Sequence, residues 1–414
     1  MRSRASAWLL VASALGLPPG LAAATLSQEP LAARVEPVVR KFMAQHAKGA
    51  AGGPPAVSLA IGRDGTLLYA DGFGDAARNQ PATARTIYLI ASITKQFTAA
   101  AVLRLIEEGA RSKHGSPLSL QSAVADLLDS SAWTVGGWRA ITIKDLLSMT
   151  SGLPNYTIEP PPGLDPFTPV STTRLLDQLK GLRPTAPPGT FAYTNTGYFL
   201  LSELVERVDV NGTSRTYRQI LKDEVFARLG LKDSGFETEP SIRERLAEPH
   251  YRQKPRFAKP EWLKGCGDVA SSVVDLFKWD KSLIEGGVLS PEMRDLMFSD
   301  EASVDAHTFY GMGWYVAHTG GGDRYFHRGT VSGYTSFSLI VRPTPAHWLS
   351  VSLLSSGDGL DGLDGLEGVN AIRFLVLLNL LNLIRVTGGL LRCQAAAADE
   401  CRKKSPVNPL TALA

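Results

Sequence analysis

Alternating apolar and polar side chains mark the first recognisable structure in the chain. In residues 57–75 (VSLAIGRDGTLLYADGFGD) this alternation runs on both sides of Arg63-Asp64-Gly65. It predicts two strands joined by a tight turn, because successive strand side chains face opposite sides and Asp-Gly favours a hairpin turn. Strand patterns return at 309–317, 333–342 and 348–354, with a glycine-rich turn at 320–323.

A helical pattern dominates the long segment between these two groups of strands. It extends from about Ser92 to Leu289 and is interrupted by Pro- and Gly-rich loops. An isolated hairpin is not stable in water, so the first hairpin must join the late strands in one sheet. We therefore expect an α+β fold, with an antiparallel sheet flanked by helices, an inserted all-helical domain and a cleft between the two parts.

The N-terminal segment has the pattern of an export signal. Arg2 and Arg4 precede a short apolar run at 7–17, and the small residues at 22–24 match a cleavage site. These features predict a signal peptide, a mature chain that begins near Thr25, and a periplasmic or secreted protein. The apolar run is too short to span a bilayer comfortably, which makes a membrane anchor the weaker interpretation.

A second apolar segment lies near the C-terminus, at 371–391. Asn379 and Asn382 interrupt it, so a buried helix that covers the sheet is favoured over a membrane span. Cys393 and Cys401 follow, and they are able to pair in an oxidising compartment. The expected units are a signal peptide (1–24), a discontinuous sheet domain (25–90 and 300–390), a helical domain (91–299) and a tail with expected disorder (391–414).

Composition excludes several classes of function. The chain of 414 residues has 43 basic and 40 acidic residues, and 41 basic residues remain without Arg2 and Arg4. This balance argues against a nucleic-acid partner, because binding to phosphates needs an excess of basic charge. Three cysteines are too few for a disulfide scaffold or a four-cysteine metal site. No metal or other cofactor is expected, and the hydrophobic share of 44% is typical of a globular protein.

The first candidate for chemistry is Ser92, followed three residues later by Lys95 at the start of an apolar helical segment. Residues three apart share a helix face, so the amine lies where it can take the hydroxyl proton. Unpaired N–H groups at a helix start also favour a developing oxyanion. Desolvation beside an apolar helix disfavours a charged lysine. The alternative is a helix-capping serine beside a solvated lysine.

Two further elements complete the candidate site. Tyr193 and Asn195 occupy alternate positions of an extended segment or turn, so both side chains can face one cleft. A lysine near Tyr193 would ease the loss of its phenolic proton. The simpler interpretation is an ordinary turn. His327 and Gly329 lie at the start of a segment expected to continue into the strand at 333, and a buried strand histidine is the alternative. His318 is the second choice for this element.

These elements, in this order, resemble the penicillin-recognising serine hydrolases, and most closely the branch of class C β-lactamases, D-alanyl-D-alanine carboxypeptidases and esterases. The resemblance extends from about residue 55 to 385. It includes segments at 141–153 (ITIKDLLSMTSGL), 229–236 (LGLKDSGF), 268–272 (DVASS) and 310–314 (YGMGW).

The resemblance implies a role for each candidate residue. Ser92 is acylated, Lys95 is its partner, and Tyr193 acts as general base. Asn195 orients the substrate amide, and His327 and Gly329 form the third motif. Independently of the resemblance, the Asn195 amide is able to hold both Lys95 and a substrate carbonyl. The oxyanion hole is formed by the N–H groups of Ser92 and Thr330, and the Thr330 hydroxyl contacts a substrate carboxylate.

Four residues depart from the pattern of these relatives. His327 stands where typical β-lactamases have Lys, and Arg328 replaces a small residue. Met149 takes the place of a frequent His, and Cys266 that of a frequent Gly. These changes weaken the case for efficient β-lactam hydrolysis more than the case for acyl transfer.

The main hypothesis is an exported serine hydrolase that acts on D-alanyl peptides, β-lactams or small esters and amides. The alternative is a penicillin-binding or sensing module with negligible turnover. A small molecule or peptide is the expected partner, with no nucleic acid and no stable membrane span after signal cleavage.

Overall fold

A computed structural model describes residues 31–46, 55–112, 114–128, 137–208, 215–250 and 258–357. Its strands are β1 Val57–Arg63, β2 Thr66–Phe73, β3 Asp75–Ala77, β4 Gln80–Pro81, β5 Tyr88–Leu89, β6 Gly235–Phe236, β7 Val269–Ser271, β8 Ala302–Ser303, β9 Thr308–Tyr310, β10 Tyr315–Thr319, β11 Gly322–Val331, β12 Tyr334–Thr344 and β13 His347–Ser355. Its α-helices are α1 Leu31–His46, α2 Thr94–Glu107, α3 Val124–Leu127, α4 Ile143–Leu147, α5 Thr172–Leu179, α6 Asn195–Arg207, α7 Tyr217–Leu221, α8 Pro240–Arg243, α9 Pro260–Leu263, α10 Val273–Glu285 and α11 Pro291–Met297. Turns of 3-10 helix lie at Ala91–Ile93 and Trp138–Ala140, and a π-helical segment at Lys222–Ala227.

One antiparallel sheet organises the described chain. Its eight strands follow the order β2-β1-β13-β12-β11-β10-β9-β8. Strands β1 and β2 form the expected hairpin, and both turn residues have positive φ, 47° at Asp64 and 74° at Gly65. Strand β1 also pairs with β13, which confirms that the first hairpin joins the late strands in one sheet.

The sheet has a different layer on each face. Helix α1 presents Val35, Val39 and Met43, spaced four apart on one helix face, to a core that includes Leu59 and Ile61 of β1. Helix α10 packs on the other face against β1 and β13. This covering on both faces explains why β1 is buried almost throughout. An antiparallel sheet flanked by helices was expected from the sequence and is confirmed.

Small residues let the helical layer approach the sheet closely. Ala60, Ser352, Ser338 and His327 are cross-strand neighbours in β1, β13, β12 and β11, so their side chains share the face beneath the helices. All four are buried. This row ends at His327, on the part of β11 that packs against the turn carrying Ser92.

The structure differs from the sequence prediction in three local details. The segment 91–299 contains β6 and β7 besides its helices, and they form a small sheet with β5. The strand expected at 309–317 is broken between β9 and β10. The segment beginning at His327 does not continue into one strand, because the chain reverses near Gly333, where φ is +81°. Strands β11 and β12 therefore pair as antiparallel neighbours.

Four predictions lie outside the described residues. They are the signal peptide at 1–24, the helix at 371–391, the pairing of Cys393 with Cys401 and the disorder of the tail at 391–414. Within the described ranges, no helix is long and apolar enough to cross a membrane.

Candidate active site

The turn that carries Ser92 is fixed from two sides. Ala91 has a positive φ of 46°, which is uncommon for a residue with a Cβ. Before it, the Ile90 N–H donates to the carbonyl of Val269 (3.0 Å), and the Ser336 hydroxyl donates to the Ile90 carbonyl (2.7 Å). Ser92 is partly exposed between two buried neighbours. The fold therefore presents one hydroxyl to solvent from a rigid backbone.

Lys95 lies beside this hydroxyl in the first turn of α2. Its Nζ donates to Ser92 Oγ (2.9 Å) and to the carbonyl oxygen of Cys266 (2.8 Å). The side chain is completely buried, and this burial lowers the pKa of Lys95 to about 8. The expectation that desolvation disfavours the charged lysine is confirmed. A measurable fraction of Lys95 is therefore a neutral amine near neutral pH.

Cys266 contributes through its backbone rather than its sulfur. The thiol is free and buried, and burial raises its pKa to about 11. A buried thiol of high pKa is a poor nucleophile. The carbonyl of the same residue holds Lys95 in place. The sequence pointed to the loop that contains Cys266, but it gave no signal for this contact.

Tyr193 lies across the site from Lys95, whose Nζ is 5.0 Å from the centre of the tyrosine ring. Burial raises the pKa of Tyr193, and a hydrogen bond with the Ser92 side chain opposes this shift only in part. The expectation that a nearby lysine would ease loss of the phenolic proton is not met, because desolvation disfavours the phenolate. Tyr193 therefore carries its proton at neutral pH.

Met149 holds the backbone on both sides of Tyr193. Its carbonyl accepts from the Ala192 N–H (2.8 Å), and its sulfur accepts from the Thr194 N–H (3.4 Å). Met149 is fully buried and has a positive φ of 61°. The methionine that replaces a frequent histidine is thus part of the support for Tyr193.

Asn195 begins α6, and its amide is oriented by a neighbouring loop. Thr157 Oγ1 donates its single proton to Asn155 Oδ1 (2.9 Å), so it must accept from Asn195 Nδ2 (2.8 Å). The structure shows this bond rather than the expected contact between Asn195 and Lys95. The role of Asn155 and Thr157 could not be predicted from the sequence, because nothing near these residues indicates a contact with Asn195.

His327 of β11 is buried below the cleft surface. Its Nδ1 lies 2.7 Å from the Arg328 carbonyl, which can only accept, so Nδ1 carries the proton. Nε2 then accepts from the Tyr310 hydroxyl (3.2 Å). Burial and the nearby Lys95 lower the pKa of His327 to about 3, so the ring is neutral. The sequence flagged the segment that contains Tyr310 but gave this residue no role.

The rival histidine lies elsewhere. His318 is exposed on β10, with Nδ1 2.8 Å from Asp323 and Nε2 2.8 Å from Asp300. Hydrogen bonds to these two carboxylates raise its pKa. The structure thus places His327, and not His318, among the aromatic rings around Tyr193.

Gly329 allows β11 to reach the nucleophile. A Cβ at this position would lie 2.8 Å from the Ser92 nitrogen and would also clash with the Ile90 carbonyl. Only glycine fits this approach. The next residue, Thr330, is exposed at the end of β11. Its N–H remains the predicted second donor of an oxyanion hole, together with the N–H of Ser92.

The described residues hold no group of three or more His, Cys, Asp or Glu side chains suited to a metal ion. The chemistry available from the geometry is that of a hydroxyl, a buried amine and a protonated phenol in mutual contact. This combination suits nucleophilic attack on a carbonyl group.

Comparisons with known proteins identify relatives of this chain. A family model described as Beta-lactamase matches residues 35–369. Penicillin-binding protein 4 of Amycolatopsis lactamdurans is 26% identical over 332 residues, which cover 73% of this chain and 81% of that protein. D-aminopeptidase of Brucella anthropi is 26% identical over 306 residues, covering 70% of this chain and 53% of that protein. The chain spans about half to two thirds of the length of several other relatives.

A solved structure shows the same architecture. The octameric penicillin-binding protein homologue from Pyrococcus abyssi superimposes with a TM-score of 0.65 and 26% sequence identity, over 79% of this chain and 74% of that one. The family resemblance expected from the sequence is confirmed. Since the family model matches most of the chain, this protein belongs to the beta-lactamase family.

Proposed function

We propose that the protein is an exported hydrolase that forms an acyl-enzyme at Ser92. The observation that carries the proposal is the 2.9 Å contact between Ser92 Oγ and the Nζ of a completely buried Lys95. With a pKa of about 8, roughly one tenth of Lys95 is neutral at pH 7. That fraction is able to accept the serine proton, whereas a lysine of ordinary pKa is almost entirely charged.

Acylation follows from the positions of the donors and acceptors. Ser92 Oγ attacks the substrate carbonyl carbon while its proton passes to neutral Lys95. The resulting oxyanion accepts hydrogen bonds from the N–H groups of Ser92 and Thr330. The bond to the leaving group then breaks, and the leaving group takes a proton from Tyr193. Lys95 in turn gives its proton to Tyr193. A water molecule then attacks the acyl ester, and its proton passes to neutral Lys95. Ser92 leaves with a proton from Tyr193 and is regenerated.

This role for Tyr193 differs from that of a general base. Its raised pKa keeps the phenol protonated, so it is suited to donate a proton to the leaving group. Its hydrogen bond with the Ser92 side chain places that proton next to the reacting bond. Lys95, whose pKa is lowered, is the better proton acceptor of the two.

The proposed substrates are D-alanyl peptides, β-lactams or small esters and amides. Two relatives support this range, since one is a penicillin-binding protein and another a D-aminopeptidase. The leader-like pattern at 1–24 supports export. His327 is neutral and buried, so it does not supply the charge of the lysine that it replaces.

The test is steady-state hydrolysis of a chromogenic ester, a D-alanyl peptide and a β-lactam. The wild type should turn over at least one of them, and Ser92→Ala should lose all such turnover. The thermal midpoint of the variant is measured to show that it is folded. Covalent labelling without turnover in the wild type would favour a penicillin-binding or sensing module. Undiminished turnover in Ser92→Ala would refute the proposal.

A further inference from the structure

Tyr156 lies in a loop that connects two parts of the candidate site. Its N–H donates to Thr196 Oγ1 in the first turn of α6 (3.1 Å). Its hydroxyl donates to the carbonyl of Trp262 in α9. The chain continues from there to Cys266, whose carbonyl accepts from the Nζ of Lys95 (2.8 Å). Tyr156 therefore holds the segment that leads to the acceptor of the Lys95 amine.

The bond between Tyr156 and Trp262 fixes the end of α9. Carbonyl groups in the last turn of a helix have no partner within that helix, and the Tyr156 hydroxyl supplies a donor for one of them. Both side chains are completely buried, and their rings stack with centroids 5.6 Å apart. The Cys266 thiol, 3.8 Å from the same carbonyl, is a weaker donor. Without the Tyr156 hydroxyl, the Trp262 carbonyl would have only this thiol, and Cys266 would move.

Thr98 anchors the peptide group next to Cys266. It lies three residues after Lys95 in α2, on the same helix face. Its Oγ1 donates to the carbonyl of Gly265 (2.7 Å), so it must accept from the Tyr217 hydroxyl (2.7 Å). The Gly265 carbonyl belongs to the peptide bond that joins Gly265 to Cys266. Two hydroxyl groups from separate elements thus fix the backbone that leads to the Cys266 carbonyl.

We propose that Tyr156 and Thr98 are positioning residues, which hold the Cys266 carbonyl against the Lys95 amine during acylation. Each acts through the backbone of residues 262–266. The proposal rests on the function proposed above, because it concerns the proton acceptor of that reaction.

The pH profile of acylation reports the position of this carbonyl. An acceptor stabilises a charged amine more than a neutral one, so displacement of the carbonyl should lower the pKa of Lys95. The titratable groups that face Lys95 are Cys266, Tyr193, Tyr198 and His327. None of the four changes its charge between about pH 6 and pH 9. The carboxylate of the same segment, Asp268, is buried and paired with Arg218 (3.1 Å). The midpoint of the profile therefore belongs to Lys95.

The test is the pH profile of acylation by a neutral ester in Tyr156→Phe. The midpoint should move below the wild-type value of about 8 by roughly 0.5–1 unit, since the charged amine loses part of a hydrogen bond. The acylation rate on the plateau should fall roughly 10-fold, because Lys95 is less well placed. Thr98→Val replaces only the hydroxyl by a methyl group and should change both quantities in the same direction.

Tyr334→Phe is the matched control. Tyr334 is also buried, and its hydroxyl also donates to a backbone carbonyl, that of Ala247 (2.6 Å). This variant should lose about as much thermal stability as Tyr156→Phe, but it should keep the wild-type midpoint and plateau. Thermal unfolding also shows whether each variant is folded.

The outcomes separate positioning from a merely structural role. An unchanged profile in Tyr156→Phe would overturn the proposal. A midpoint that rises towards that of an ordinary lysine would also overturn it, because it would show that the substitution only admits water to Lys95. If Tyr156→Phe does not fold, the profile of Thr98→Val decides by the same criteria. Undiminished turnover in Ser92→Ala would instead refute the acyl-enzyme proposal, and with it this one.

Discussion

The pH dependence of acylation follows directly from the surroundings of Lys95. The side chain is completely buried, its charged form is disfavoured by desolvation, and its pKa is about 8. If the neutral amine accepts the proton of Ser92, the acylation rate must follow the neutral fraction. That fraction is about 1% at pH 6, about 9% at pH 7 and 50% at about pH 8.

These fractions set the expected magnitude. The kcat/KM for acylation should rise roughly 50-fold from pH 6 to pH 8 and then level off near pH 9. A lysine with its ordinary pKa would instead give a rise that continues past pH 10. The position of the plateau therefore reports the burial of Lys95.

The assay is pre-steady-state release of a chromophore from a neutral ester, so that no charge on the substrate titrates in the same range. Lys95→Arg is the matched variant, because a guanidinium stays charged over the whole range. It should lose activity and show no rise near pH 8. A wild-type rate that is constant between pH 6 and pH 8, or that falls, would refute the assignment of Lys95 as proton acceptor.

Four further predictions concern single residues. Gly329→Ala should abolish acylation and destabilise the fold by about 1–3 kcal/mol in urea unfolding, because the added Cβ would lie 2.8 Å from the Ser92 nitrogen. Tyr193→Phe should lower kcat about 10²-fold while the thermal midpoint is kept; a wild-type kcat would exclude a proton-transfer role. Burial lowers the pKa of His327 to about 3, below its value in the unfolded chain, so acid favours the unfolded state and the free energy of unfolding should fall by about 1 kcal/mol per pH unit between about pH 6.5 and pH 3. His327→Gln should remove that dependence and damage activity more than His318→Ala does, and the reverse order would identify the wrong histidine. Burial raises the pKa of Asp280, and an interaction with the Ser338 side chain opposes this shift only in part, so Asp280→Asn should increase stability at pH 8; a lower thermal midpoint would contradict this.

Local sequence signals predicted the parts of the fold that depend on local conformation. The hairpin could be predicted because Asp64 and Gly65 adopt positive φ angles that few residues tolerate. The pairing of Ser92 with Lys95 followed from helical spacing alone, although Ser92 lies in a 3-10 turn just before α2. The reversal between β11 and β12 was missed, because strand-forming residues continue on both sides of Gly333.

The features that could not be predicted depend on contacts between distant parts of the chain. Lys95 is held by the carbonyl of Cys266, 171 residues later, and no periodic pattern reports such a contact. The orientation of Asn195 depends on Thr157, and the neutral state of His327 depends on its burial and on Tyr310. Charge proximity predicted an acidic Tyr193, but the sequence does not show how deeply the ring is buried, and burial has the larger effect.

The most direct test of the central claim is the intact mass of the protein after incubation with a penicillin or a fluorophosphonate. The account predicts one adduct per chain, located by peptide mapping on the peptide that contains Ser92 and absent from Ser92→Ala. With the penicillin, the persistence of the adduct further separates slow from fast deacylation. An adduct of equal yield in Ser92→Ala, or no adduct with either reagent in a folded wild type, would contradict the assignment of Ser92 as the nucleophile.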